Sequence, residues 1–154
     1  MKKIDTCKGS ALLIADLHEK DDILKKVRHA NLRICINRHI EEVDNVVFLG
    51  DNFNSNSPGY LLVQEIAELL DKFKPHHHKF VVCNGNHDSL GLTTSPLHSY
   101  CTGAGIYHVA GSELIVQPFV LRGWNTAKPI ERPYDRARFF AGHVALSLGT
   151  KLVG

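Results

Sequence analysis

A chain of 154 residues, 44% hydrophobic and 22% charged, can bury one substantial core and reads as a single domain over 1–154. A formal net charge of +2 is too small to point by itself to nucleic acid or an acidic membrane. No stretch approaches the ~20 apolar residues of a membrane span, so no membrane partner is expected.

Lys2 and Lys3 precede an apolar run, but Ala11 to Ala15 is too short for a secretion signal and Asp16 follows at once. A cytoplasmic protein is expected. Cys7, Cys35, Cys83 and Cys101 form no C-x-x-C pair, and Cys35 and Cys83 sit inside apolar runs. Buried free thiols in a reducing compartment are the reading for them.

In chain order, the first strand is predicted over about 10–15, continuously apolar as in a strand covered on both faces. Asp16, Leu17 and His18 follow in a loop. Asp21 and Asp22 open a helix, where carboxylates suit the positive end of the dipole. Ile23, Val27, Ala30, Ile34 and Ile40 keep helical spacing, which carries this helix to about Glu41. The second strand, Asn45 to Leu49, ends at Gly50-Asp51. A polar loop leads to Ser57-Pro58, the form of an N-cap and first helical residue. Leu61, Leu62, Ile66, Leu69, Leu70 and Phe73 mark the second helix, which Pro75 closes. His76-His77-His78 falls in the next loop, where solvated imidazoles are expected. Phe80 to Cys83 is the third strand. This β-α-β-α-β order predicts a parallel sheet.

After Asp88 the texture becomes loop-rich, with one short helix over Pro96 to Cys101. Strands are predicted at Ile106 to Val109, Leu114 to Phe119 and Val120 to Trp124, with Ala110-Gly111-Ser112-Glu113 as a hairpin turn between the first two. Glu131 to Arg138 reads as a polar connection or short helix, and Phe139 to Ala141 as a last strand ending in Gly142-His143.

Three apolar strands thus end in metal-type ligands: Asp16-Leu17-His18, Gly50-Asp51-Asn52 and Asn84-Gly85-Asn86-His87-Asp88. The carboxyl edge of an open α/β sheet is where such folds place ligands. Asp16, His18, Asp51, Asn86 and His143 make a mixed oxygen and nitrogen donor set that suits manganese, iron or zinc. A carboxylate such as Asp51 can bridge two cations about 3.5–4 Å apart, which would lower the pKa of a bridging water and clamp phosphoryl oxygens. His87 lies beside Asn86, placed to protonate a leaving oxygen or stabilise a transition state, and Asp88 could orient its imidazole.

These motifs, with the late Gly142-His143, resemble the calcineurin-like metallophosphoesterases over about residues 10–145. The resemblance implies an α/β/β/α sandwich with a dinuclear site holding two divalent metal ions, manganese foremost. It assigns Asp16 and His18 to the first metal, Asp51 to the bridge, Asn86 and His143 to the second metal, and a catalytic role to His87. Within the family, Gly50-Asp51-Asn52-Phe53-Asn54 is most similar to the G-D-x-F-D form of double-strand-break repair nucleases and their phage relatives, with Asn54 in place of the Asp. The stretch Phe139 to Leu146 resembles their penultimate His motif. The family's closing G-H-x-H is missing: either Ala145 stands at its last His, or the motif is absent because the chain stops at Gly154. The second sheet is therefore expected to be incomplete and the domain C-terminally truncated.

The expected function is a metal-dependent phosphoesterase that hydrolyses a phosphodiester or phosphomonoester through a metal-bridging hydroxide, with nucleic acid as a candidate substrate. The alternative is a non-catalytic metal- or partner-binding module that kept the fold and lost the last His ligands.

Overall fold

The computed structural model describes residues 10–88 and 95–109, together with three further strands. β1 (Ala11–Ile14), β2 (Asn45–Phe48), β3 (Phe80–Cys83) and β4 (Tyr107–Val109) form one sheet in the order β1-β2-β3-β4, parallel throughout. Ile14 pairs with Phe48 and Phe48 with Val82, so the first three strands end in line. That register delivers their three polar loops to one edge, as the sequence predicts.

Side chains alternate across the sheet. Val46, Phe48, Phe80 and Val82 pack with the helices, while Val47, Val81, Cys83 and Val109 form a second cluster on the opposite pleat. β2 and β3 are buried at every position, which explains their uninterrupted apolar sequence.

The helices follow expectation in number and differ in detail. α1 (Lys25–His39) starts later than Asp21; the Asp22 carboxylate instead accepts from the Leu24 N–H at 3.0 Å, just before the first turn. At the other end Lys79 Nζ donates to the Ile40 and Val43 carbonyls at 2.7 and 3.0 Å, satisfying groups that the helix leaves free. Of the apolar stripe read from the sequence, only Ile40 is buried in the core. Ile23, Val27 and Ile34 are 94%, 56% and 52% exposed, and Leu32, Ile36 and Ile40 enter the core. The chain carries two apolar stripes of helical spacing, roughly half a turn apart, and packing on the sheet selects one. Cys35 is accordingly exposed, contrary to expectation, whereas Cys83 and Cys101 are buried free thiols.

α2 (Tyr60–Asp71) begins after Gly59 rather than at Ser57-Pro58, with the Gly59 carbonyl accepting from Leu62 and Val63. Pro75 opens a 3-10 helix over Lys74–Lys79 as well as ending α2. His77 is buried there: Nε2 lies 2.9 Å from the Leu70 carbonyl and Nδ1 3.3 Å from that of Ala104. Its imidazole lies between last-turn carbonyls of two helices, which loop composition alone does not reveal. α3 (His98–Ala104) ends at Gly105, whose φ of 72° is the left-handed C-cap that glycine accepts freely.

The second sheet has the order β5-β6-β7, with β5 (Glu113–Val116) antiparallel to β6 (Phe119–Arg122), and β6 parallel to β7 (Phe139–Gly142). The expected hairpin between β4 and β5 is corrected: β4 joins β3 in the first sheet, and β5 pairs with β6 in the second. The strand expected over Leu114 to Phe119 is divided: β5 ends at Val116 and Phe119 begins β6. Glu131 to Arg138 and His143 lie outside the described residues.

Candidate metal centre

The loops after β1 and β2 hold a concentration of backbone strain. Asp16, His18 and Asp51, with φ of 52°, 46° and 50°, are the only non-glycine residues in the left-handed region among the described residues. Each such residue costs of order 1 kcal/mol or more and persists only where its surroundings hold it. Here the two loops extend the strand ladder. The Asp16 N–H donates to Gly50 at 3.3 Å, His18 to Asp51 at 2.9 Å and Glu19 to Asn52 at 3.0 Å, and Asn54 donates back to Glu19 at 3.0 Å.

The result is a convergence of donors. His18 Nε2 lies 3.5 Å from Asp51 Oδ2, and His87 Nε2 lies 4.0 Å from the same oxygen. The two imidazoles meet edge to face with centroids 5.0 Å apart. One ligand atom each from His18, Asp51 and His87 falls within 4.8 Å of the others. Asp16 Oδ1 is 4.0 Å from His18 Nε2, on a largely exposed side chain. Two imidazoles and one carboxylate at this spacing, with the Asp16 carboxylate beside His18, fit a divalent cation of the manganese, iron or zinc type. The left-handed backbone that aims three of these side chains is otherwise an unreturned cost.

β3 enters the site through its backbone. A Cβ on Gly85 would run into the Asp51 carboxylate and the Asp51 main-chain nitrogen, so only glycine fits. Just beyond, the His87 N–H donates to Asp51 Oδ1 at 3.0 Å, leaving Oδ2 toward the imidazoles. His87 Nδ1 lies 3.0 Å from the Asn54 carbonyl. A carbonyl only accepts, so Nδ1 carries the proton and Nε2 faces the cluster.

Asp88 was expected to orient His87, and the structure gives it other partners. Its buried carboxylate accepts from the N–H groups of Asn52, Phe53 and Gly85 and from the Asn52 amide, at 2.9–3.0 Å. It ties the loop after β2 to the loop after β3, and the Asn54 carbonyl takes the place beside the imidazole. Burial holds the Asp88 carboxyl above the usual carboxylate range, with the Asp51 charge adding to the rise and the three backbone donors opposing it.

Of the residues predicted from sequence, His18, Asp51 and His87 come together, Asp16 stands at their edge, and Asn86 is exposed on the adjoining turn. His143 lies outside the described residues. Sequence reasoning missed Asn52, whose amide also donates to the Cys83 carbonyl at 3.0 Å, and Glu19, a fully buried carboxylate beside His18. Asn52 carries no local signal beyond its place in the Gly50-Asp51-Asn52 motif, and Glu19 none beyond its place after His18.

The calcineurin-like phosphoesterase family profile matches residues 10–145. Among solved structures the chain is similar to the nuclease MPE of Pseudomonas putida, at 18% identity and a TM-score of 0.49, over 84% of this chain and 58% of that one. The chain thus spans less than two thirds of that protein's length. No curated protein matches it.

Proposed function

The chain belongs to the calcineurin-like phosphoesterase family, and from that premise we propose that it is a metal-dependent hydrolase of phosphoric esters. The observation that carries the reading is the convergence of His18, Asp51 and His87 on a strained edge of the parallel sheet. In it Asp16, His18, Asp51 and Asn86 hold divalent cations, with His143 completing the set and manganese the favoured metal. Such ions, when bound, supply a hydroxide nucleophile at neutral pH and offset charge on phosphoryl oxygens.

The protein's own groups do the rest. Asp51, buried and braced by the His87 N–H, keeps one oxygen aimed into the cluster. His87, turned by the Asn54 carbonyl, presents Nε2 to a leaving oxygen, to which the ring, when protonated on both nitrogens, can pass a proton. Asp88 fixes the distance between the two loops that carry them. A nucleic-acid phosphodiester as substrate is supported by the likeness of Gly50-Asp51-Asn52-Phe53-Asn54 to the repair-nuclease form. A reducing cytoplasmic setting is supported by the free thiols of Cys35, Cys83 and Cys101. A second reading, a metal-binding module without turnover, is favoured by one observation: Gly142-His143 is followed by Val144-Ala145, so a G-H-x-H read at that point lacks its last His.

The test is manganese binding by calorimetry together with manganese-dependent hydrolysis of bis-p-nitrophenyl phosphate, for wild type, Asp51→Asn and His87→Ala. The enzyme reading expects turnover that needs the metal and falls at least about 100-fold in both variants. Binding without turnover would establish the module. Absence of both would end the phosphoesterase reading for this chain.

A further inference from the structure

Glu19 is buried to 2% exposure and directly follows His18, whose backbone lies in the left-handed region. Its Oε2 accepts from Arg28 Nε at 3.3 Å and lies 3.1 Å from His29 Nε2, which must donate because a carboxylate only accepts. Arg28 does more than pair with it. One terminal nitrogen donates to the Asp22 carboxylate and the other to the Lys20 carbonyl, both at 2.7 Å. A single guanidinium on α1 therefore holds side chains or backbone of Glu19, Lys20 and Asp22 in one arrangement. The fork of donors that makes this possible is particular to arginine.

The main chain of Glu19 is engaged on the other side. Its N–H donates to Asn52, its carbonyl accepts from Asn54, and it forms a β-bridge with Phe53. Glu19 thus links the rigid helix α1 to the loop that carries Asp51 and touches His87. His18, one peptide away, has no comparable anchor in its own side chain, which is part of the donor cluster. From this geometry we infer that Glu19, clamped by Arg28 and His29, is a positioning residue that sets the place and strained backbone of His18 for metal capture. The inference rests on the metal-centre reading above. Glu19 touches none of the cluster atoms in the contacts described, so it acts through the backbone of its neighbour.

The clamp has two separable parts. The carboxylate supplies the anchor, and the arginine fork supplies its orientation. Replacing Glu19 by Gln keeps the size and removes the charge that holds Arg28 and accepts from His29. Replacing Arg28 by Lys keeps a positive charge and removes the ability to hold three groups at once.

The experiment is manganese titration of the full chain by calorimetry, with thermal unfolding of the metal-free protein measured in parallel. Wild type, Glu19→Gln and Arg28→Lys are compared. The clamp predicts a loss of manganese affinity of about 10- to 100-fold in each variant, the range for disturbed support of a ligand, while the metal-free proteins remain folded at the titration temperature. Unchanged affinity in a folded variant, with wild type binding normally, would overturn the clamp and leave the metal centre standing. Should Glu19→Gln fail to fold, Arg28→Lys decides, since it retains the charge beside Glu19. No manganese bound by wild type would overturn both the centre and the clamp.

Discussion

Single atoms decide the site at the residue scale. Gly85 brings the backbone of β3 against Asp51 so closely that one methyl group is excluded. Gly85→Ala should therefore cost about 1–3 kcal/mol, the range for a group forced into filled space, and weaken manganese binding as Asp51 is displaced. Urea unfolding and calorimetric titration check both effects; a stable variant with wild-type affinity would contradict the close approach. The thiols make a second prediction at this scale. Burial pushes Cys83 and Cys101 up to about 12, whereas Cys35 is exposed on α1. A thiol-disulfide reagent at pH 8 should modify Cys35 in the folded protein and reach Cys83 and Cys101 only after unfolding. Peptide mapping of the labelled sites reads the outcome, and early labelling of Cys83 would disprove the burial.

At the scale of elements, α1 is the informative case. It has two apolar stripes, and the fold buries only Leu32, Ile36 and Ile40. Ile36→Ala, at a position with no exposure, should cost about 2–5 kcal/mol. Val27→Ser, more than half exposed, should stay within about 0.5 kcal/mol. Denaturant midpoints of the two variants separate these outcomes; equal losses would mean that the outer stripe is also packed. The same helix shows why its boundaries shifted from expectation. Its ends are set by Asp22 on one side and, on the other, by Lys79, 39 positions from the Ile40 carbonyl it meets.

On the scale of the whole molecule, stability should depend on pH through His108. Its ring lies against Ser95 Oγ at 2.7 Å and His98 Nδ1 at 3.2 Å. Burial first, and the neighbouring His98 second, push its pKa down from 6.5 to about 4. The unfolded chain then binds the proton more readily than the folded one between those values. Stability from this group is complete above pH 6.5 and is lost as pH falls toward 4. The loss amounts to about 3–4 kcal/mol at most, taking about 1.4 kcal/mol per pKa unit over the shift from 6.5 to about 4. His108→Gln should flatten the fall in urea midpoint between pH 7 and pH 4.5, and a variant as acid-sensitive as wild type would exclude His108 as its source.

The amino-acid sequence by itself determined the three strands that end in Asp16-Leu17-His18, Gly50-Asp51-Asn52 and Asn86-His87-Asp88, their parallel order, and the donor types at their ends. Those features are local: apolar runs set strands, and the chemistry of a side chain travels with its identity. Only the tertiary structure decided which stripe of α1 is buried, that β4 and β5 part into different sheets, and that Asp88 binds the backbone of Asn52 and Phe53 rather than orienting His87. The same holds for the exclusion of a Cβ at Gly85 and for the clamp on Glu19. Each of these depends on which distant segment arrives alongside, across 36 positions between Asn52 and Asp88, and periodicity within one segment carries no record of that.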